Sequence, residues 1–268
     1  HYNANFILSR QLNSSHKITY HGMYYNGDRN FSLIFPTDTP SNYLNKDQRH
    51  LLEWESEFSN ITSVLKLAYF NEVFDYTPDI RSSRNTGATA QTLLARYSLF
   101  YSYKTFDFSV LSEYNFSKAK GDNVLSENRS IASFALLAKH QWKNLTSEVS
   151  FRQEYSDVYE SPFLFSSGLN YKISELVSAK ANVSKNFRIP TFNDLYWEGS
   201  GRTNLRPETS NQVEASVMLS DFTNKHSLSF TGYYNDISNL IRWIPNSVNI
   251  WQPENVDEVE TYGVEANL

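Results

Sequence analysis

The chain has 268 residues, no cysteine, a formal net charge of −5, 40% hydrophobic residues and 15% aromatic ones, 18 Tyr and 18 Phe among them. The missing cysteines exclude disulfide frameworks, thiolate metal sites and cysteine nucleophiles, and the scattered Lys and Arg give no basic stripe for nucleic acid. Mean hydropathy is −0.52 and apolar runs are short, as at Phe134–Ala138, which excludes helical spans of roughly 18 or more apolar residues, while so aromatic a chain is not a disordered one.

Apolar and polar residues alternate with period two along most of the chain, the pattern of strands with one apolar face. The first pair is expected at 3–11 and 17–25, around the polar turn Asn13–His16. A long segment, Asn26–Arg49, leads to 50–59, where Leu52, Trp54 and Phe58 alternate with Glu53, Glu55 and Glu57. Ser59–Asn60 turns the chain into 61–73, and a second long segment, Asp75–Gly87, follows. Strands 88–102 and 105–117 meet at Ser102–Lys104; in the latter Phe106, Phe108, Val110, Tyr114 and Phe116 alternate with Asp107, Ser109, Glu113 and Asn115. After Lys118–Asn128 come 129–142 and 145–156, joined at Lys143–Asn144, then 162–173 and 176–187, joined at Ser174–Glu175. Within 176–187, Val177, Ala179, Ala181, Val183 and Phe187 share one face. The long segment Arg188–Pro207 precedes 208–220 and 226–243, around the turn Asp221–Lys225, and 249–268 closes the series.

These strands exceed the roughly five or six residues common in soluble sheets and match the about 9–11 needed to cross a bilayer at a tilt. Aromatic residues gather near strand ends (Tyr69, Tyr101, Trp142, Tyr155, Tyr171, Phe222), where interfacial girdles sit. Short turns alternate with long segments, the loop asymmetry of outer-membrane barrels, with the short side periplasmic. The fold class expected is therefore all-β, an antiparallel transmembrane β-barrel. About thirteen strands, an odd count where bacterial single-chain barrels are even, with strand patterns running into both ends, read as a fragment of a larger barrel.

No catalytic constellation stands out. The six His are dispersed, and the nearest pair, His16 and His21, point to opposite faces of one strand. There is no phosphate-cradling Gly loop and no calcium-loop spacing. Catalytic residues, metal ligands and cofactors are not expected, and Glu53, Glu55 and Glu57 read as a solvated row facing the lumen.

Three phrases remain. The first is Asn186–Phe187–Arg188–Ile189–Pro190–Thr191–Phe192–Asn193–Asp194–Leu195–Tyr196–Trp197; the second is Asn204–Leu205–Arg206–Pro207–Glu208–Thr209; the third is Tyr262–Gly263–Val264–Glu265. In this order they resemble a block in the barrel of TonB-dependent outer-membrane receptors, with Asn186, Arg188, Pro190, Asn193, Leu195, Asn204, Leu205, Pro207, Glu208, Gly263 and Glu265 carrying the likeness. The pieces Leu240–Ile241–Arg242–Trp243 and Trp251–Gln252–Pro253–Glu254–Asn255–Val256, flanking the hairpin tip Asn246–Asn249, are also similar to that family.

The resemblance implies that residues 1–268 are part of a barrel of about twenty-two strands. The plug domain, the first strands and the last strands would lie outside them. It implies an outer-membrane location in a Gram-negative bacterium, contact with outer-membrane lipid, coupling to the TonB complex through the plug segment, and capture of a scarce small-molecule nutrient. Tyr196, Trp197, Trp243 and Trp251 are the candidate ligand contacts, with interfacial anchoring as the alternative reading of each. Arg188 and Glu208 also read as a structural pair between strands. The phrases are most similar to the cobalamin-receptor branch, while ferric siderophore and haem receptors share much of the vocabulary. The only His near an expected outer loop are His21 and His50, thin support for haem. A non-coupled porin or adhesin barrel is the reading of a different class, and a soluble carbohydrate-binding β-protein, which would need no detergent, is the third.

Overall fold

The computed structural model describes all residues except 32, 34, 36–37, 83–84, 125 and 222–225, and the side chain of 257. Thirteen strands form one sheet in sequence order, every strand antiparallel to its neighbours. They are β1 (Tyr2–Gln11), β2 (His16–Asn30), β3 (Asn42–Phe58), β4 (Ile61–Thr77) and β5 (Thr86–Tyr103). Next come β6 (Phe106–Gly121), β7 (Glu127–Trp142), β8 (Leu145–Ser156) and β9 (Leu164–Lys172). After β10 (Val177–Arg188) a short helix α1 (Phe192–Tyr196) intervenes before β11 (Glu208–Ser220), β12 (Ser227–Pro245) and β13 (Trp251–Asn267). Among the described residues β1 pairs only with β2 and β13 only with β12, so the sheet they form is an open wall.

All thirteen expected strands are present, and β8 and β11 have the expected bounds. The largest difference is at β2 and β3, which continue to Asn30 and start at Asn42, inside a segment expected as a long loop. There the ladder continues through polar pairs such as Asn30↔Asn42 and Asn26↔Lys46; with polar residues on both faces, the alternation that marks a strand is lost while backbone pairing persists. β4 and β6 likewise run on to Thr77 and Gly121. The tight turn between β5 and β6 falls at 104–105, one residue beyond the expected position, with Tyr103 still paired to Phe106. Phe222 and most of the expected turn Asp221–Lys225 lie outside the described residues.

The short turns are built alike. Ser59, Lys104 and Lys143 each take the first turn position with φ of 52°, 55° and 52°, the left-handed region that reverses a two-residue hairpin in step with strand twist. On the opposite edge of the wall the connections 31–41, 78–85, 157–163 and 189–207 are longer.

Polarity is inverted relative to a soluble sheet. Leu52, Trp54, Leu93, Tyr114, Phe134 and Val213 are all more than two-fifths exposed, whereas Thr19, Ser98 and Arg129 are buried. Side chains crowd on the inner face of a curved sheet and splay apart on the outer one, so the apolar set faces out and the polar set in. The register carries each set across neighbouring strands. Leu52, Leu67, Ala95 and Tyr114 are successive cross-strand partners on the outer face. On the inner face Glu53, Lys66, Arg96 and Glu113 succeed one another in the same way. Lys66 pairs with Glu53 at 2.7 Å and Arg96 with Glu113, so Glu53 belongs to an ion pair instead of a free acidic rung. On β8, Leu145 and Tyr155 are about ten residues apart, roughly 33 Å along a strand at about 3.3 Å per residue. At a tilt of about 40° this is roughly 25 Å of height, the apolar band of an outer-membrane barrel.

Candidate ligand-binding site

The 189–207 connection folds back over the inner face, and sequence chemistry explains its start. Pro190 cannot extend the β10 ladder, and Thr191 caps α1 in a capping box with Asp194. Thr191 Oγ1 accepts from the Asp194 amide at 3.1 Å, while Asp194 Oδ2 accepts from the Thr191 amide at 2.9 Å and from its hydroxyl at 2.7 Å. The other carboxylate oxygen, Oδ1, accepts from the Trp243 indole at 2.9 Å, across to β12. Asp194 is 6% exposed. A buried carboxylate is tolerated only when its oxygens are satisfied, and here three donors converge on it.

Three further clamps hold the connection. Arg129 of β7, also buried, donates to the Pro190 carbonyl at 2.8 Å and lies over the Phe192 ring at 4.6 Å. The Glu198 amide donates to the Asn123 carbonyl at 2.8 Å, and Val124 makes a β-bridge with Trp197. At the far end Arg202 pairs with Glu254 at 3.0 Å, and Asn255 of β13 both accepts from the Arg206 amide at 2.8 Å and donates to its carbonyl at 2.9 Å. The connection is thus tied to β7 on one side and to β12 and β13 on the other.

Beneath it, Arg188 and Glu208 close the β10–β11 pair. Arg188 Nε donates to Glu208 Oε2 at 2.7 Å, and its Nη2 donates to Oε1. That same oxygen accepts the Ile241 amide of β12 at 2.7 Å. The pair is therefore structural, joining three strands.

Two cavities flank the connection. The smaller, about 520 Å³, is lined by Thr191, Asn193, Asp194, Trp197, Ser200, Trp243 and Trp251. Three of the four aromatic candidates, Trp197, Trp243 and Trp251, converge here. The fourth, Tyr196, turns away and packs by Phe192, with ring centroids 6.1 Å apart. Burial, reinforced by Glu127, pushes its phenol above the ordinary range, so it stays protonated at neutral pH. The larger cavity, about 830 Å³, lies between the connection and the outer ends of β3 to β6; its lining includes Tyr43, Asp47, Glu72, Phe74, Tyr76 and Trp197. Tyr43 and Phe74 stack there at 5.7 Å.

The motif residues sort by place. Pro190, Leu195 and Glu208 are buried anchors. Asn186 is exposed, donating to Ser184 at 3.1 Å, and Asn193 lines both cavities. Asn204 is exposed in the turn before β11, followed by half-buried Leu205 and Pro207. Gly263 of β13 lies under the Tyr233 ring, where a Cβ would come within 2.8 Å of the phenol oxygen; Glu265 is exposed beside Thr231. Sequence reasoning missed Arg129, Asn255 and the Tyr43–Phe74–Tyr76 group, whose partners are distant in sequence. It also missed the role of Asp194, although the Thr191–Asp194 spacing is a legible cap signal. Among the described residues no group of three or more His, Cys, Asp or Glu is placed to hold a metal ion.

An all-antiparallel wall with apolar residues outside, ion pairs inside and a clamped outer connection over the lumen is part of a transmembrane β-barrel of the outer-membrane receptor type. The sequence family described as TonB dependent receptor-like, beta-barrel, matches residues 1–268, and the chain belongs to that family. It is 34% identical over 152 residues, 54% of its length and 24% of the relative's, to the vitamin B12 transporter BtuB of Photobacterium profundum. It is 31% identical over 153 residues, 56% of its length and 23% of the relative's, to BtuB of Vibrio vulnificus strain YJ016. Among solved structures it is similar to the ferric enterobactin receptor PfeA (of Pseudomonas aeruginosa) in complex with BCV-L6, with TM-score 0.81, 14% identity, and coverage of 98% of this chain and 48% of the receptor. The Serratia marcescens hemophore receptor HasR, in complex with HasA and heme, gives TM-score 0.79 at 13% identity, covering 97% of this chain and 50% of that one. The chain thus spans about half the length of these structures and aligns with about a quarter of the curated relatives.

Proposed function

We propose that this chain is the ligand-facing wall of a Gram-negative outer-membrane receptor that captures cobalamin and passes it inward. Transport would run past a plug domain and be driven through the TonB complex, the mode of action that family membership implies. The observation that carries the reading is the convergence of Trp197, Trp243 and Trp251 on one cavity whose only lining carboxylate among the described residues, Asp194, is consumed by internal hydrogen bonds. Such a cavity offers flat apolar faces and neutral polar groups. It suits a flat, uncharged ring better than a polyanionic ferric chelate, which calls for surplus cations. Two of the nearby arginines are already neutralised, Arg188 by Glu208 and Arg202 by Glu254, and Arg129 is buried and spent on the Pro190 carbonyl and the Phe192 ring. Likeness to vitamin B12 transporters at 31–34% identity supports the same ligand class, whereas the solved receptors at 13–14% identity speak to the fold.

The test is equilibrium binding to the complete receptor, purified in detergent, with cobalamin and a ferric catecholate siderophore in parallel. Saturable cobalamin binding is expected, weakened about tenfold or more by Trp243→Ala, as stacking contacts of this kind contribute roughly 1–3 kcal/mol. Siderophore binding without cobalamin binding would reassign the ligand and leave the receptor class in place.

A further inference from the structure

The two cavities at the mouth are separated by a thin partition, since Trp197 and Asn193 line both. The backbone of this partition is fixed. The Trp197 amide donates to the Asn193 carbonyl at 3.2 Å, and the Trp197 carbonyl accepts from Ser200 at 3.1 Å and Gly201 at 2.6 Å. Its side chains are uncommitted: neither the Trp197 indole nor the Asn193 amide has a hydrogen-bond partner among the described residues, and Trp197 is 37% exposed. A rigid backbone carrying free donor and acceptor groups is a pre-organised recognition element.

The chambers differ in chemistry. The larger, about 830 Å³, presents the stacked Tyr43–Phe74 pair with Tyr76, beside the acceptors Asn45 and Asp47. The smaller, about 520 Å³, presents the indole of Trp251, 58% exposed, opposite Trp243, whose ring orientation is set by Asp194. Each volume alone falls in the range of about 300–1,000 Å³ that holds a drug-sized ligand. A corrinoid nucleotide is far larger and consists of two unlike lobes: a broad macrocycle rimmed with primary amides, and a compact heteroaromatic base on a sugar phosphate.

Building on the cobalamin reading, we propose that the ligand is held in two parts. The macrocycle lies in the larger chamber, its amide N–H groups donating to Asp47 and Asn45. The base lobe stacks in the smaller chamber on Trp251, with Trp197 and Asn193 as the divider that sets the joint between lobes. Trp197 and Asn193 then determine specificity by measuring the distance between two lobes, a role that girdle anchoring does not require.

The test compares cobalamin with cobinamide, the macrocycle lacking the base-bearing nucleotide, on the complete receptor in detergent. Trp251→Ala is expected to weaken cobalamin about tenfold and to leave cobinamide within about twofold, with Trp251→Phe recovering most of the loss. Phe74→Ala is expected to weaken both ligands by the same factor. If Trp251→Ala lowers both equally or neither, or Phe74→Ala leaves both untouched, the two-part arrangement is overturned while the cobalamin reading stands. Failure of the unaltered receptor to bind either corrinoid would instead remove the cobalamin reading and this proposal with it.

Discussion

Glu208 serves the Arg188 guanidinium and the Ile241 amide while only 8% exposed. Replacing it with Ala strands a buried N–H on β12, which costs about 1–3 kcal/mol; Arg188, half exposed, loses less because water replaces its partner. Glu208→Gln retains one acceptor, so the expected order of urea midpoints in detergent is wild type, then Gln, then Ala. Equal loss for both variants would mean that the charge, and not the Ile241 hydrogen bond, matters. Asp194 poses a similar question with three donors. Asn keeps one carbonyl oxygen and turns an amide N–H toward groups that also donate, so Asp194→Asn should release the Trp243 indole. A red-shifted tryptophan emission and several-fold weaker ligand binding are expected; unchanged emission would show that packing alone holds Trp243 in place.

At the scale of the strand, facing is the property that alternation encodes most directly. On β10, Ala181 is flanked by Leu169 and Ala215, whereas Asn182 is flanked by Gly168 and Glu214. Arg at the outward Ala181 should cost about 2–4 kcal/mol if that site sits near the bilayer midplane, and Arg at the inward Asn182 much less; equal penalties in lipid-vesicle refolding would overturn the facing. Alternation made all thirteen strands legible in the sequence, because inside the apolar band each residue must choose lipid or lumen. It failed above the band, at Asn26–Asn30 and Asn42–Gln48, where polar residues fall on both faces and the period-two signal that separates a strand from a loop is lost. The site was legible in part for the same reason. The phrase 186–197 and the two Trp of the β12–β13 hairpin pointed to the right region, but which aromatics meet is decided by long-range clamps. Asp194 draws Trp243 toward the smaller cavity while Phe192 and the β7 side hold Tyr196 away from it. No local pattern records a contact between β7 and a residue sixty positions later, as between Arg129 and Pro190.

For the whole wall, two sets of interactions compete as sources of stability. The inner ion pairs are substantially hydrated, with Lys66 40% and Arg96 43% exposed, so each contributes at most about 1 kcal/mol. The outer face carries continuous apolar rows, each residue adding about 25 cal/mol per Å² once an apolar phase covers it. Among the described residues β1 and β13 meanwhile leave their outer backbone groups without a strand partner, an invitation to edge-to-edge pairing. Salt should therefore matter little and the apolar phase a great deal. In 1 M salt, where screening acts over about 3 Å, the 268-residue chain in detergent should keep its far-UV circular dichroism and its melting profile almost unchanged. Diluted out of detergent, it should form sedimenting aggregates that retain β signal, since edges and apolar rows then satisfy one another between molecules. A monodisperse, folded species in plain buffer would contradict the outward facing of the apolar rows and favour a soluble β-protein. Loss of structure on adding salt would instead place the inner charge rows, and not the outer face, at the centre of the wall's stability.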